Sequence, residues 1–125
     1  MRITNVPLRE KDGKVAVLVH SGYGGFWSLY DVRLAVDARI IDFWEDHKDD
    51  KNFLSACKLH DSVQALEVKE FLKSLGYKKD HFDVYAFDDA LELKWIDKTA
   101  RFIIREYDGY EHIVIIGPDY GNTFE

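Results

Sequence analysis

The sequence has little or nothing of several features that mark particular classes of protein. It contains two prolines in 125 residues and a single cysteine, Cys57. A single cysteine excludes an internal disulfide. Its apolar runs, such as residues 113–116, are far too short to cross a bilayer. The first residues have no apolar core of signal-peptide length. We therefore expect a cytoplasmic protein that does not associate with membranes.

Standard catalytic and metal-binding motifs are also missing. The chain has neither a GxGxxG nor a GxxxxGK[ST] phosphate loop, and no GxSxG elbow surrounds Ser21. His20 and Ser21 are neighbours at a strand end and should point to opposite faces, which disfavours a base–nucleophile pair. The other histidines lack HExxH or i,i+4 spacing, and Cys57 is expected to pack rather than react. We expect no metal and no cofactor, and a binding role is favoured over catalysis.

The charge balance limits the classes of partner. With 17 basic and 23 acidic residues the net charge is −6, which argues against direct nucleic-acid binding through phosphate neutralisation. Residues 80–97 carry six acidic residues and one basic residue. Such a segment is typical of a solvated edge, and it also fits an acidic mimic of nucleic acid.

Hydrophobic periodicity predicts the first half of the fold. Residues 15–19 form a β-branched apolar run typical of a buried strand, and a glycine-rich loop, residues 21–27, follows. Apolar residues at steps of three and four then predict a helix over residues 29–43, with Ser28 as its N-cap. Acidic residues follow this helix at 45, 46, 49 and 50. Either the helix stops near Trp44, which is the favoured interpretation, or these acidic residues are placed there to bind a partner.

The second half combines a helix with strands. Residues 48–52 are predicted as a loop, and residues 62–75 as a helix with an Asp61–Gln64 capping box and Gly76 after its end. Alternating patterns predict strands at 82–87 and 91–95, and a hairpin of residues 100–106 and 111–116. We predict one domain, 1–125, of the α+β class: a small, largely antiparallel sheet with two helices packed on one face. Four helix residues should be buried against the strands: Val36, Ile40, Val68 and Leu72.

The hairpin turn allows two registers. A two-residue turn at Asp108–Gly109 would set Glu106 opposite Glu111, a repulsive pair. A turn over Tyr107 and Asp108, with Gly109 as a bulge at positive φ, would avoid the repulsion. The bulged turn is the prediction.

Two loops are the candidate binding sites. The glycine-rich loop could direct backbone amides at an anion, or it could be a tight turn with its aromatic residues in the core. The hairpin tip adds aromatic side chains to the candidate site. The predicted contact residues are Ser21, Gly22, Tyr23, Gly24, Gly25, Phe26 and Trp27 in the first loop and Tyr107, Asp108 and Tyr110 in the second.

Two short motifs give the chain a resemblance to a known family. Tyr23-Gly-Gly-Phe26 follows the first strand, and Glu106-Tyr-Asp-Gly-Tyr-Glu111 lies in the closing hairpin. This pair, in this order, resembles a family of small uncharacterised phage and prophage proteins. The resemblance implies a phage-encoded accessory protein that acts on host physiology or host defence, and it supplies no catalytic residues.

These observations lead to one functional hypothesis and two alternatives. The hypothesis is a binding protein that sequesters or inhibits a host protein or a small anionic metabolite. The alternatives are a small enzyme acting on a nucleotide-like substrate and an acidic mimic of nucleic acid. Eight Phe, seven Tyr and three Trp residues exceed what a small core holds, which predicts exposed aromatic residues and a homodimer.

Overall fold

A computed structural model describes residues 6–24, 26–59 and 61–118, and within them the chain forms five strands and four α-helices. The strands are β1 (Glu10–Lys11), β2 (Lys14–His20), β3 (Leu91–Asp97), β4 (Ala100–Tyr107) and β5 (Tyr110–Pro118). The helices are α1 (Arg33–Val36), α2 (Ala38–His47), α3 (Lys51–Ala56) and α4 (Val63–Ser74). None of these helices is long and apolar enough to cross a membrane.

The strands form two small antiparallel sheets. In the first, β2 lies between β1 and β3, and its register places Val15 opposite Ile96 and His20 opposite Leu91. The second sheet is the β4–β5 hairpin. The α+β class and the antiparallel pairing are therefore confirmed.

Alternation along β2 divides the core into two clusters. Ala16 and Leu18 pack with buried residues of α2, α3 and α4 on one face of the first sheet. Val17 and Val19 point to the other face and pack with α1 and with the inner side of the β4–β5 hairpin. The first sheet therefore lies between a layer of helices and the hairpin. The four helix residues predicted to be buried, Val36, Ile40, Val68 and Leu72, are all buried.

The helix predicted over residues 29–43 is divided by Asp37. The backbone at Asp37 is extended, and its buried carboxylate accepts hydrogen bonds from the Arg39 guanidinium and, at 2.7 Å, from the Tyr77 hydroxyl. The first part of the predicted helix, α1, starts only at Arg33, so Ser28 is not its N-cap. The predicted stop near Trp44 is also wrong, because α2 continues to His47, whose ring bonds the Phe43 carbonyl.

Three further predictions for the middle of the chain are corrected. Residues 48–52 are not all loop, because Asp50 caps α3 by accepting from the Phe53 amide. The 62–75 helix is confirmed as α4, but its N-cap is Ser62 rather than Asp61. Residues 82–87 contain a short 3₁₀ turn instead of a strand, since the Asp83 carboxylate binds the Tyr85 amide and tightens the backbone.

The hairpin turn is the two-residue type, and the predicted bulge is wrong. Asp108 and Gly109 both have positive φ, 50° and 90°, as a type I′ turn requires. Glu106 therefore lies opposite Glu111. Glu106 accepts a hydrogen bond from the Gly109 amide, while Glu111 is buried and bound elsewhere. A bulge occurs instead near Arg101 and Phe102, at the other end of the hairpin.

Candidate functional site

The two predicted loops lie against each other. The Gly24 amide donates a 2.7 Å hydrogen bond to the Asp108 carbonyl. The ring of Tyr23 contacts the ring of Tyr110, with centroids 5.3 Å apart, and meets that of Tyr107 edge-on at 6.5 Å. Tyr23 and Tyr107 remain 67% and 75% exposed. We call this set of three side chains, Tyr23, Tyr107 and Tyr110, the tyrosine tip.

Glu111 anchors the tip to the rest of the molecule. Its side chain is 98% inaccessible, and one carboxylate oxygen accepts the His20 backbone amide at 3.0 Å. The other oxygen accepts the Ser28 amide at 2.9 Å and the Ser28 hydroxyl at 2.7 Å. One carboxylate therefore ties the hairpin to the end of β2 and to the chain just beyond the glycine-rich loop.

The ring of His20 lies beneath both loops and is fully enclosed. Its Nε2 is 3.0 Å from one oxygen of Asp88 and 3.2 Å from the other. Its Nδ1 faces the carbonyls of Gly22, at 2.9 Å, and Gly109, at 3.3 Å. Both ring nitrogens face acceptors, so only the doubly protonated imidazolium satisfies them all.

The electrostatics agree with this protonation state. Burial alone would lower the pKa of His20, but the hydrogen bond and charge of Asp88 and the two loop carbonyls outweigh it and raise that pKa. Burial would likewise raise the pKa of Asp88. The hydrogen bonds from His20 and the Ala90 amide, with the charges of His20 and Lys58, lower it instead. The pair is thus a buried ion pair that holds the glycine-rich loop and the turn together.

The structure brings five of the predicted contact residues together and places the other described ones elsewhere. Tyr23, Gly24, Tyr107, Asp108 and Tyr110 come together at the tip. Gly22 and Ser21 form hydrogen bonds elsewhere, and Phe26 is half-buried. Gly22 offers its carbonyl to His20, and Ser21 donates to Glu92 at 2.6 Å. Gly25 lies outside the described residues.

Trp27, a predicted contact residue, lies in the core rather than at the surface of the loop. Its side chain is completely buried, and its indole nitrogen donates to the Leu34 carbonyl at 3.1 Å. Its ring packs against Phe87. A large ring that can bury its apolar area and still satisfy its N–H group is more stable in the core than in a loop.

The glycine-rich loop is poorly arranged to bind an anion. The Gly24 amide is already bound to Asp108. The next helix, α1, starts only at Arg33 and has four residues, so the loop does not lead directly into a helix N-terminus. The carboxylates of Asp88 and Glu111 lie just beneath the loop and would repel an anion.

The acidic segment, residues 80–97, has internal roles in this structure. The carboxylates of Asp83, Asp88 and Asp97 each accept a nearby backbone amide, and Glu92 accepts from Ser21 and pairs with Lys94. These contacts favour the interpretation as a solvated edge over a nucleic-acid mimic.

The site lacks an arrangement for acid–base or nucleophilic chemistry among the described residues. His20 is buried and both of its ring nitrogens are engaged by protein acceptors, so neither nitrogen faces a substrate. The hydroxyls of Ser21 and Ser28 donate to Glu92 and Glu111, not to His20. Within the residues that the structure describes, no group of three histidine, cysteine or acidic side chains could hold a metal ion. Burial, with the charge of Glu67, raises the pKa of the Cys57 thiol to about 11, which keeps it protonated.

Sequence reasoning missed the residues that support the tip. The sequence marks His20 only as a neighbour of Ser21, and it indicates neither Asp88 nor Glu111 as a site residue. The one available signal was the like-charge pair of Glu106 and Glu111, which a two-residue turn requires. Taken as a class, this is an α+β chain whose hairpin and glycine-rich loop are joined over a buried ion pair. Comparison with protein-family models, with curated proteins and with solved structures found no significant match.

Proposed function

We propose that this chain is a non-enzymatic binding protein that engages a partner protein through the tyrosine tip. The observation that carries the proposal is the group of three neighbouring, exposed tyrosine rings on a buried ionic support. Tyrosine combines a large apolar ring with a hydroxyl and has few rotatable bonds, which makes it common at protein interfaces. A tip that is already ordered loses little conformational entropy when it binds.

A protein partner fits the tip better than a small anion does. The tip is an open surface, and carboxylates lie directly below it. The resemblance to phage proteins adds the biological setting: a partner from the host cell, in its cytoplasm, that is sequestered or inhibited. A role against host defence would follow from the same setting.

The test compares proteins captured from a host-cell lysate by tagged variants of equal thermal stability. The wild type should retain one or a few specific proteins, and the Tyr23→Ser, Tyr107→Ser double variant should lose them, since both exposed rings are removed. Val63→Ser is the control, because Val63 is 75% exposed and lies at the start of α4, away from the tip. Unchanged capture by the double variant would contradict the proposal.

A further inference from the structure

A groove lies beside the tyrosine tip, between residues 28–32 and strand β4. Its volume is about 390 Å³, within the range of sites that take a small molecule or a side-chain pair. Its apolar walls are formed by Leu29, Tyr30, Val32, Phe102, Ile103 and Ile104. Four of these, Leu29, Tyr30, Val32 and Ile103, are exposed, so the groove presents apolar area that the described residues do not cover.

The groove also contains the like-charge pair of the hairpin. Glu106 and Glu111 lie directly opposite each other across β4 and β5, and both line the groove. Their hydrogen-bond partners are uncharged donors: the Gly109 amide for Glu106, and the His20 amide and Ser28 for Glu111. Among the described residues neither carboxylate has a salt-bridge partner. Like charges at directly opposed positions of a hairpin are destabilising.

The charge of the groove therefore has one sign. Asp31 also lines it, but both oxygens of that carboxylate are taken by the Arg33 guanidinium, at 2.9 and 2.6 Å. None of the described residues that line the groove carries a positive charge. An incoming cation would relieve the repulsion between Glu106 and Glu111, whereas an anion would add to it.

We infer that this groove receives an arginine side chain, next to an apolar side chain, from the partner protein. The inference rests on the proposed function and names the chemistry of the partner. A guanidinium offers several donors in a planar fork to the part-buried Glu106 carboxylate, next to the negative charge of the buried Glu111, and its flat face stacks on an aromatic ring such as Tyr30. Its aliphatic stem and the adjacent apolar side chain cover Leu29 and Ile103.

The probes are two capped dipeptides, acetyl-Leu-Arg-amide and acetyl-Leu-citrulline-amide, which have nearly the same shape and differ in charge. Titrations followed by amide chemical shifts should give saturable changes at residues 28–32 and 102–106 with the arginine peptide. The citrulline peptide should bind roughly tenfold more weakly, the loss expected for charge-assisted hydrogen bonds. Added salt should weaken only the arginine peptide.

The variant Glu106→Gln separates charge from shape. It should reduce the affinity for the arginine peptide to that for the citrulline peptide, and leave the citrulline peptide unchanged. Glu70→Gln is the matched control, an exposed carboxylate on α4 outside the groove, and it should change neither. Equal affinities for the two peptides, the absence of shifts in the groove, or full arginine binding by Glu106→Gln would each overturn the inference. So would groove shifts that grow with protein concentration alone, because a second copy would then be the occupant.

The two proposals fail in different experiments. Capture that is lost with the tip variants but kept by Glu106→Gln would leave the proposed function intact and overturn the groove inference. Capture that survives the tip variants would contradict the proposed function. The peptide titrations report on the groove alone and do not depend on any captured protein.

Discussion

At the scale of single residues, we expect His20 to help hold the tyrosine tip in shape. Its ring faces the carbonyls of both loops, Gly22 and Gly109, and its other nitrogen faces the Asp88 carboxylate. Loss of the proton would turn a ring lone pair towards an acceptor. The two loops would then lose the donor that they share.

The first prediction concerns the pH dependence of stability. The pKa of His20 in the folded chain is raised above 6.5, so its contribution is fully present below pH 6.5 and is lost as the pH rises through the folded pKa. His20→Gln should therefore reduce the free energy of unfolding by about 2–3 kcal/mol below pH 6.5, and by less at higher pH. This is less than is typical of fully buried pairs, because Asp88 keeps some contact with water.

Urea unfolding at a series of pH values would measure the difference. The control is His112→Gln, since His112 is exposed on β5, and that variant should follow the wild-type pH profile. An NMR titration that finds the His20 ring neutral below pH 6.5 would contradict the assignment.

Sequence patterns could not predict the contact between His20 and Asp88, for a physical reason. His20 and Asp88 are 68 positions apart, and the β2–β3 register that places His20 opposite Leu91 brings them together. Local patterns report which face of a strand is apolar. They do not report which polar side chain from another element will meet that strand's last residue.

At the scale of elements, prediction succeeded where one local pattern decided the outcome. Strands β2, β3, β4 and β5 and helix α4 each follow from their own periodicity, and Gly76 ends α4 at positive φ as expected. The break at Asp37 did not follow, because the contact with Tyr77, 40 residues away, stabilises an extended residue inside a helical pattern.

The second prediction concerns the hairpin turn. Gly109→Val should lower the free energy of unfolding by about 1–3 kcal/mol, because a β-branched residue is strained at a φ of 90°. Asp108→Asn is the control at the neighbouring position. It should be neutral or slightly stabilising, since asparagine is favoured in type I′ turns. Thermal unfolding followed by circular dichroism measures both variants, and an unchanged Tm for Gly109→Val would refute the turn assignment.

At the scale of the whole molecule, the aromatic surplus is smaller than the composition indicated. Trp27 and Phe87 are buried, and stacked pairs such as Phe43 with Phe71 fill space between helices. Among the described residues, the exposed rings are those of the tyrosine tip, Tyr30 beside it and Trp95 on β3. The sequence predicted the excess of rings but could not assign each ring to core or surface.

The third prediction is weak two-fold self-association through the tip when no partner is present. The mass from sedimentation equilibrium should rise above 14.6 kDa with concentration, because exposed aromatic patches tend to pair. Tyr107→Ser should remain monomeric, and Val63→Ser, at an exposed position on α4, should behave as the wild type. A constant mass of 14.6 kDa at high concentration would show that the tip does not bind its own copy.

We expect the bond between Glu111 and the His20 amide to form late during synthesis. It joins positions 91 residues apart, and contacts of such separation form slowly. A nascent chain can build the helices and the β2–β3 pair before the hairpin has been made. Until the hairpin is made, α1 covers only part of the face with Val17, Val19 and Ile96, and we expect the uncovered apolar part to favour aggregation or chaperone binding.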